Sequence, residues 1–348
     1  MNLDISSFLV VIVTLCSSLA TVPASGSSVE NADSTIQLIA AKDGDIVLNQ
    51  GWDYYASSLH NPSDLNRSVG SIKVNLPHTW NATDPTDTQP GYRRDAGWYR
   101  KQLSISTGAS DKRYLLYFES ANMTADVYVN GQRAGGHVGG YLGFELDISD
   151  LIDVKGINEV LVRVDNGIDR QIIPSQKADF VLYGGLTRDV YLRVRPQNHI
   201  ALVQIVTPEV SSQKASVLAT VSVQQHGPVK GSMHLELEVH RQGNVVAQAE
   251  TSLASGSGAG GVQVKLPEIE NPALWSPDTP NLYDLKVVLK DGEGKVLHRA
   301  FDRFGFRWFG FNEDGGFELN GERLLLRGTH RHEEHAGLGA AMPNELHI

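Results

Sequence analysis

The feature that most constrains this chain is an alternation of apolar and polar residues with a period of two. The alternation recurs in RYLLYFES (113–120), TADVYVN (124–130), NEVLVRVD (158–165) and DVYLRVR (189–195). Successive side chains of a β-strand point to opposite faces, so this period predicts strands with one buried face. The pair Asn130-Gly131 between two segments favours a hairpin turn. Because no long amphipathic helix pattern interrupts these segments, we predict an all-β protein built from sandwiches.

Two breaks divide the pattern into domains. The first lies at Arg195-Pro196-Gln197, after which strand-like segments resume with IALVQIV. The second lies near Gly310 and precedes a hairpin pattern, in which expected strands over 317–319 and 323–327 flank a turn at Asn320-Gly321. We predict a jelly-roll sandwich over 27–197, an immunoglobulin-like sandwich over 198–309 and the start of a third domain over 310–348.

The first 26 residues have the pattern of an export signal. An apolar run, Phe8–Leu15, precedes Val22-Pro23-Ala24, which fits a signal-peptidase site. The run is shorter than the roughly 20 residues that a membrane span needs. We therefore predict a signal peptide over 1–26, a secreted or periplasmic protein, and no membrane span. The one cysteine is Cys16, so no disulfide is expected after the signal.

The charge of the chain argues against two classes of partner. Its formal net charge is −10 at pH 7. Nucleic acids and acidic membrane surfaces would be repelled on average. We predict neither as a partner.

The segment THRHEEH (329–335) is the densest group of candidate ligand side chains. A helical zinc site requires histidines at positions i and i+4, whereas His332 and His335 are three residues apart. Three interpretations remain open: a zinc site, a solvated polar loop and a sugar-binding loop. We favour the sugar-binding loop, because imidazole both donates to and accepts from neighbouring hydroxyl groups.

Two further candidates precede this segment. Asp179 stands nine residues before Arg188; its carboxylate could accept hydrogen bonds from two sugar hydroxyls, or it could be an ordinary turn residue. Asn81 lies in the aromatic, Asp-rich loop 76–99. Asparagine side chains hydrogen-bond sugars, but this loop could equally be a connector held in the core by Trp80 and Trp98.

Nine segments, in order along the chain, resemble glycoside hydrolase family 2. They are NQGWD (49–53), LPHTW (76–80), GWYRK (97–101), ESANMTADVYVNG (119–131), GGLTRDVYL (184–192), LWSPDTPNLY (274–283), FGFR (304–307), LNGERLLLRG (319–328) and HRHEEHAGLG (330–339). The resemblance implies a jelly-roll sugar-binding domain, an immunoglobulin-like domain and a TIM barrel. Residues 310–348 would be the truncated start of that barrel.

The resemblance also implies an activity, which is hydrolysis of terminal β-D-galactosides with retention of configuration. A β-glucuronidase of the same family, or a non-catalytic carbohydrate-binding protein, is the alternative. Asp179 and His332 match family positions that contact the substrate sugar. Both catalytic glutamates and the magnesium ligands would follow residue 348. We therefore expect no catalytic residue, metal or cofactor in this chain, and no turnover by it. For the full-length enzyme the resemblance implies magnesium and sodium, and leaves a homo-oligomer open.

Overall fold

The computed structural model describes residues 45–67, 70–105, 111–174, 179–253 and 261–347. The predicted signal over 1–26, with Cys16, lies outside the described residues. Within these ranges no helix is long and apolar enough to span a membrane.

Ten strands form the first sandwich. They are β1 (Asp45–Val47), β2 (Trp52–Tyr55), β3 (Ile72–Val74), β4 (Ala96–Ser104), β5 (Lys112–Phe118), β6 (Thr124–Val129), β7 (Gln132–Val138), β8 (Phe144–Asp147), β9 (Ile157–Asp165) and β10 (Val190–Pro196). One sheet has the order β3-β2-β4-β9-β6-β7 and the other β1-β10-β5-β8. Short 3₁₀ helices cover Pro62–Arg67 and Asp84–Thr86.

The alternation in the sequence places the core of this sandwich. In β9, Val160, Val162 and Val164 are buried and belong to the cluster of apolar side chains shared by both sheets. Leu161 faces the other way, where it packs in a small second cluster with Trp98. Both faces of β9 are therefore covered, one by the cluster shared with the other sheet and the other by this small cluster. The turn at Asn130-Gly131 has positive φ at both residues, as the sequence predicts for a two-residue hairpin.

Nine strands form the second sandwich. They are β11 (Asn198–Val206), β12 (Lys214–Ala215), β13 (Leu218–Gln225), β14 (His234–Arg241), β15 (Asn244–Ser252), β16 (Val262–Lys265), β17 (Ile269–Glu270), β18 (Tyr283–Lys290) and β19 (Val296–Phe304). The sheets have the orders β11-β13-β16, β15-β14-β18-β19 and β12-β17. A separate apolar cluster fills this sandwich. The predicted all-β class, with two sandwiches one after the other along the chain, is confirmed.

The segment after the second sandwich is a small sheet followed by a long loop. Strands β20 (Phe309–Phe311), β21 (Phe317–Leu319) and β22 (Glu322–Arg323) pair in that order. The predicted turn at Asn320-Gly321 is present, with positive φ at both residues. The apolar residues 324–326, expected to extend the strand, lie outside it, because only Leu324 N–H donates to Phe317 O. A 3₁₀ helix covers Asn344–His347. That this segment begins a TIM barrel stays a prediction.

Candidate functional site

A cavity of about 620 Å³ lies where four separate segments meet. The segments are the turn after β5, the connection between β7 and β8, the connection from Asp179 to β10, and the loop at 330–340. The first three belong to the first sandwich and the fourth follows the small sheet. The cavity therefore joins parts of the chain that are far apart in sequence.

The connection before β10 is held by buried asparagine side chains. Asn81 Oδ1 accepts from Gly184 N–H at 3.0 Å, and Asn81 Nδ2 donates to Leu182 O at 3.2 Å. Asn166 Nδ2 also donates to Leu182 O, at 2.8 Å. Gly184 is required at this point, because a Cβ there would lie 2.1 Å from Cζ2 of Trp80. These contacts hold the connection in one path along the cavity.

The floor of the cavity is polar and buried. Asn122 Nδ2 donates to Tyr183 O at 2.5 Å, and Ser120 Oγ shares a hydrogen bond of 2.7 Å with Thr187 Oγ1. Ser120 Oγ also donates to Gly140 O at 2.6 Å. A buried polar group is stable only when it is hydrogen-bonded. These hydrogen bonds tie the floor to the connection before β10, while Asn122 Oδ1 is buried without a hydrogen-bond partner among the described residues.

The loop at 330–340 is docked on the first sandwich. Tyr183 OH donates to Glu334 Oε2 at 2.8 Å, across 151 positions of sequence. Arg188 donates to Glu333 Oε2 at 2.8 Å and to Ala340 O at 3.0 Å. The two carboxylates are thus occupied by donors from the connection before β10.

Two of the three predicted sugar contacts, Asp179 and His332, lie on the cavity. His332 is largely exposed, and its Nδ1 lies 3.6 Å from Glu334 Oε1.

The third predicted contact, Asn81, does not line the cavity. It is fully buried, and both ends of its amide are used, by Thr79, Gly184, Arg93 and Leu182. The expected sugar contact is corrected to a positioning role, because no polar atom of Asn81 remains to meet a ligand. The burial of Asn81 fits the second interpretation of loop 76–99, which is a connector held in the core.

Two acid–base groups at the cavity have shifted pKa values. Burial, followed by the hydrogen bond to Glu334, raises the pKa of the Tyr183 hydroxyl. This hydroxyl therefore stays protonated and acts as a donor. Burial raises the pKa of Glu119, and the nearby Asp189 raises it further.

Several cavity residues were not found from the sequence. Asn122 and Ser120 lie in the motif ESAN, and Tyr183 and Arg188 flank the Gly184-Gly185 pair. The glycine pair was the available signal, because adjacent glycines mark a close approach of the backbone. The polar floor carried no such signal, since a buried asparagine resembles an exposed one in sequence.

The charged groups of the cavity can recognise a hydroxylated ligand. Its wall carries four carboxylates and two guanidinium groups, which belong to Glu119, Asp179, Glu333, Glu334, Arg188 and Arg331. Carboxylates accept hydrogen bonds from hydroxyl groups, and guanidinium groups bind carboxylates. Two glutamates already have partners, so Asp179 and Arg331 are the groups best placed to meet a ligand.

Comparison with known proteins supports the same interpretation of the fold. The description "Glycosyl hydrolases family 2, sugar binding domain" matches residues 49–196, and "Glycosyl hydrolases family 2" matches residues 198–307. A protein of Formosa agariphila, provisionally named a β-glucuronidase, is 45% identical over 303 residues, covering 86% of this chain and 36% of that protein. A β-galactosidase of Thermoanaerobacter pseudethanolicus is 31% identical over 303 residues, covering 86% of this chain and 40% of the relative.

A solved structure of a related enzyme has the same fold as this chain. The crystal structure of a β-glucuronidase from Bacteroides uniformis superposes with a TM-score of 0.80 at 29% identity, covering 87% of this chain and 37% of that one. The chain thus spans less than half the length of the relatives it matches. Both sandwiches and their order match, and the chain belongs to glycoside hydrolase family 2.

Proposed function

We propose that this chain forms the sugar-recognising part of an exo-acting β-glycosidase, and that the sugar is a β-glucuronide. The observation that carries the proposal is the meeting of Asp179, Arg331 and His332 at one cavity. The 45% identical relative, provisionally named a β-glucuronidase, supports the choice of sugar.

Each of these side chains has a distinct task in the proposal. The Asp179 carboxylate accepts hydrogen bonds from two adjacent sugar hydroxyls. The His332 imidazole contacts a further hydroxyl. Among the described residues, Arg331 contacts the ring nitrogen Nδ1 of His347 at 3.0 Å rather than a carboxylate. Its guanidinium is therefore available to the carboxylate of a glucuronide.

A β-galactoside is the second candidate, and it remains the prediction made from the sequence. Four carboxylates against two guanidinium groups make the cavity wall acidic, which favours a neutral sugar over an anionic one. The 31% identical relative is named a β-galactosidase. The two candidates differ in one group of the ligand, so direct comparison separates them.

Calorimetric titration of the chain with methyl β-D-glucuronide and methyl β-D-galactoside tests the proposal. We expect the glucuronide to bind more tightly, and Asp179→Asn to abolish binding of both. Arg331→Gln should remove the preference for the glucuronide. The control is Asp169→Asn, because Asp169 is an exposed aspartate whose Oδ1 accepts from Gln171 N–H within its own loop.

The outcomes separate the candidates. Tighter binding of the galactoside by the unaltered chain would replace the glucuronide with the second candidate. Binding that persists unchanged in Asp179→Asn would reject this cavity as the sugar site. A third hypothesis is that the protein is a non-catalytic carbohydrate-binding protein. Sequencing the reading frame past codon 348 tests it, and a stop codon directly after this codon would support it.

We also propose that the protein is exported. The support is the apolar run Phe8–Leu15 followed by Val22-Pro23-Ala24. N-terminal sequencing of the mature protein should begin near Ser25. An intact Met1 on protein recovered from the cytoplasm would contradict export.

A further inference from the structure

The outer face of the second sandwich carries a row of potential metal ligands. Strand β14 turns Leu235, Leu237 and Val239 into the core, so the alternate residues face outward. These outward residues are His234, Glu236, Glu238 and His240. Lys290 and Lys286 of the neighbouring strand pair with the two glutamates, but neither these pairs nor the sugar site accounts for His234.

The pairing with β15 completes a cluster at one end of this row. Glu236 is directly opposite Glu250 in the register of β14 and β15. His234 Nε2 lies 3.9 Å from Glu250 Oε1. One ligand atom from each of His234, Glu236 and Glu250 lies within 4.8 Å of the other two. A single ion could therefore contact all three.

The electrostatics of this cluster favour a cation. Two carboxylates directly across an antiparallel pair repel each other. The Lys290 ammonium contacts Glu236, which offsets one of the two charges. Glu250 is 65% exposed on β15, the edge strand of its sheet. An ion bound between the two strands would offset the second charge and tether this edge.

We propose that His234, Glu236 and Glu250 bind a divalent transition-metal ion of the zinc class. An imidazole nitrogen with carboxylate oxygens is a donor set that Zn²⁺ accepts, with water as a fourth ligand. Calcium takes oxygen ligands only and gains nothing from the histidine. The site is independent of the sugar cavity and of the function proposed for it.

The same strand provides a matched control. His240 Nε2 lies 2.9 Å from Glu238 Oε2, so a second histidine and glutamate are adjacent on this face. Opposite Glu238, however, stands Gln248, whose neutral amide replaces the second carboxylate. Lys286 donates to Glu238 at 2.9 Å. This second pair lacks the third ligand and should bind zinc poorly.

Calorimetric titration of the whole chain with Zn²⁺, in a buffer that does not chelate metals, tests the site. We expect His234→Ala to lose one equivalent of bound zinc relative to the unaltered chain, and His240→Ala to lose none. Glu250→Gln should lose the same equivalent as His234→Ala. Because Glu250 is exposed, Glu250→Gln should keep the fold even if His234→Ala unfolds the chain.

Thermal unfolding provides the second readout. Zinc should raise the Tm of the unaltered chain and of His240→Ala, and raise it less in Glu250→Gln, because an ion that binds only the folded state stabilises it. Equal numbers of bound zinc ions in all variants would overturn the proposal. So would an equal rise in Tm with Ca²⁺, since that would indicate general attraction to acidic groups.

Discussion

At the scale of single residues, the site depends on buried amides that never touch its cavity. Asn81 is fully buried and makes hydrogen bonds through both ends of its side chain. It joins the loop 76–99 to Leu182 and Gly184, beside the cavity. A buried amide with all its partners positions the backbone around it. The connection that carries Asp179 therefore depends on a residue outside the cavity.

We expect Asn81→Ala to lower the free energy of unfolding by about 2–3 kcal/mol, because it leaves buried backbone groups without partners. Urea unfolding followed by tryptophan fluorescence measures the change. Asn61→Ala is the control, since the Asn61 side chain is exposed and donates only to Asp64, at 3.4 Å. Equal costs in the two variants would contradict the positioning role.

At the scale of elements, the notable feature is the docking of the loop at 330–340 on the first sandwich. Arg188 and Tyr183 hold Glu333 and Glu334, and Asn344 Nδ2 donates to Asp189 Oδ2 at 3.3 Å. Exposed ion pairs each contribute little. Several contacts on one loop nevertheless fix its path, and they bring His332 to the cavity that Asp179 also lines.

We expect Arg188→Gln to speed tryptic cleavage after Arg331 up to about fivefold, because one exposed ion pair contributes up to roughly 1 kcal/mol. Mass spectrometry of a timed digestion measures the rate. Arg133→Gln is the matched control, since Arg133 pairs with Asp126 on the exposed hairpin of β6 and β7. An unchanged rate in Arg188→Gln would show that the loop is held by other contacts.

At the scale of the whole molecule, burial of histidines couples stability to pH. Burial lowers the pKa of His78 and of His298 to about 4. His78 Nδ1 lies 2.8 Å from Tyr99 OH in the first sandwich, and His298 Nδ1 accepts from Ile200 N–H in the second. In the unfolded chain a histidine has a pKa of about 6.5. The unfolded state therefore binds more protons than the folded state between these values.

Above about pH 6.5, the contribution of these two histidines to the free energy of unfolding should not change with pH. As the pH drops from 6.5 towards 4, the free energy of unfolding should fall. Each histidine contributes at most roughly 3 kcal/mol to this loss, before solvent screening reduces it. Urea unfolding at neutral and mildly acidic pH measures the slope. The slope should be shallower in His298→Gln than in the unaltered chain. Identical slopes in the unaltered chain and in His298→Gln would contradict this account.

The chain by itself should release no nitrophenol from aryl β-glucuronides or β-galactosides. A retaining glycosidase needs a general acid and a nucleophile, with carboxylates about 5 Å apart. Glu333 and Glu334 accept hydrogen bonds from Arg188 and Tyr183, so neither is free to act as a general acid. Activity that co-purifies with the chain and vanishes in Asp179→Ala would contradict this prediction and would show that the cavity lined by Asp179 catalyses the reaction.

Local patterns allowed much of the fold to be predicted. The period-two segments became β5, β6, β9 and β10, and both Asn-Gly pairs became hairpin turns. The alternation of side chains along a strand and the geometry of a turn depend on residues that are neighbours in the sequence. Both can therefore be predicted from the sequence. The strand expected through Leu326 ended at Arg323, because ladder hydrogen bonds depend on a partner strand that local pattern does not specify.

The sequence by itself determined the alternation that builds two sandwiches, the order of the family segments, and the identities of Asp179 and His332 as candidates. Only the tertiary structure decided that these two residues line one cavity, that Asn81 is buried outside it, and that His234 meets Glu250 across two strands. The physical reason is distance along the chain. Burial and pairing between remote segments depend on how whole sheets pack, and a residue's neighbours in sequence do not encode which distant backbone will cover it.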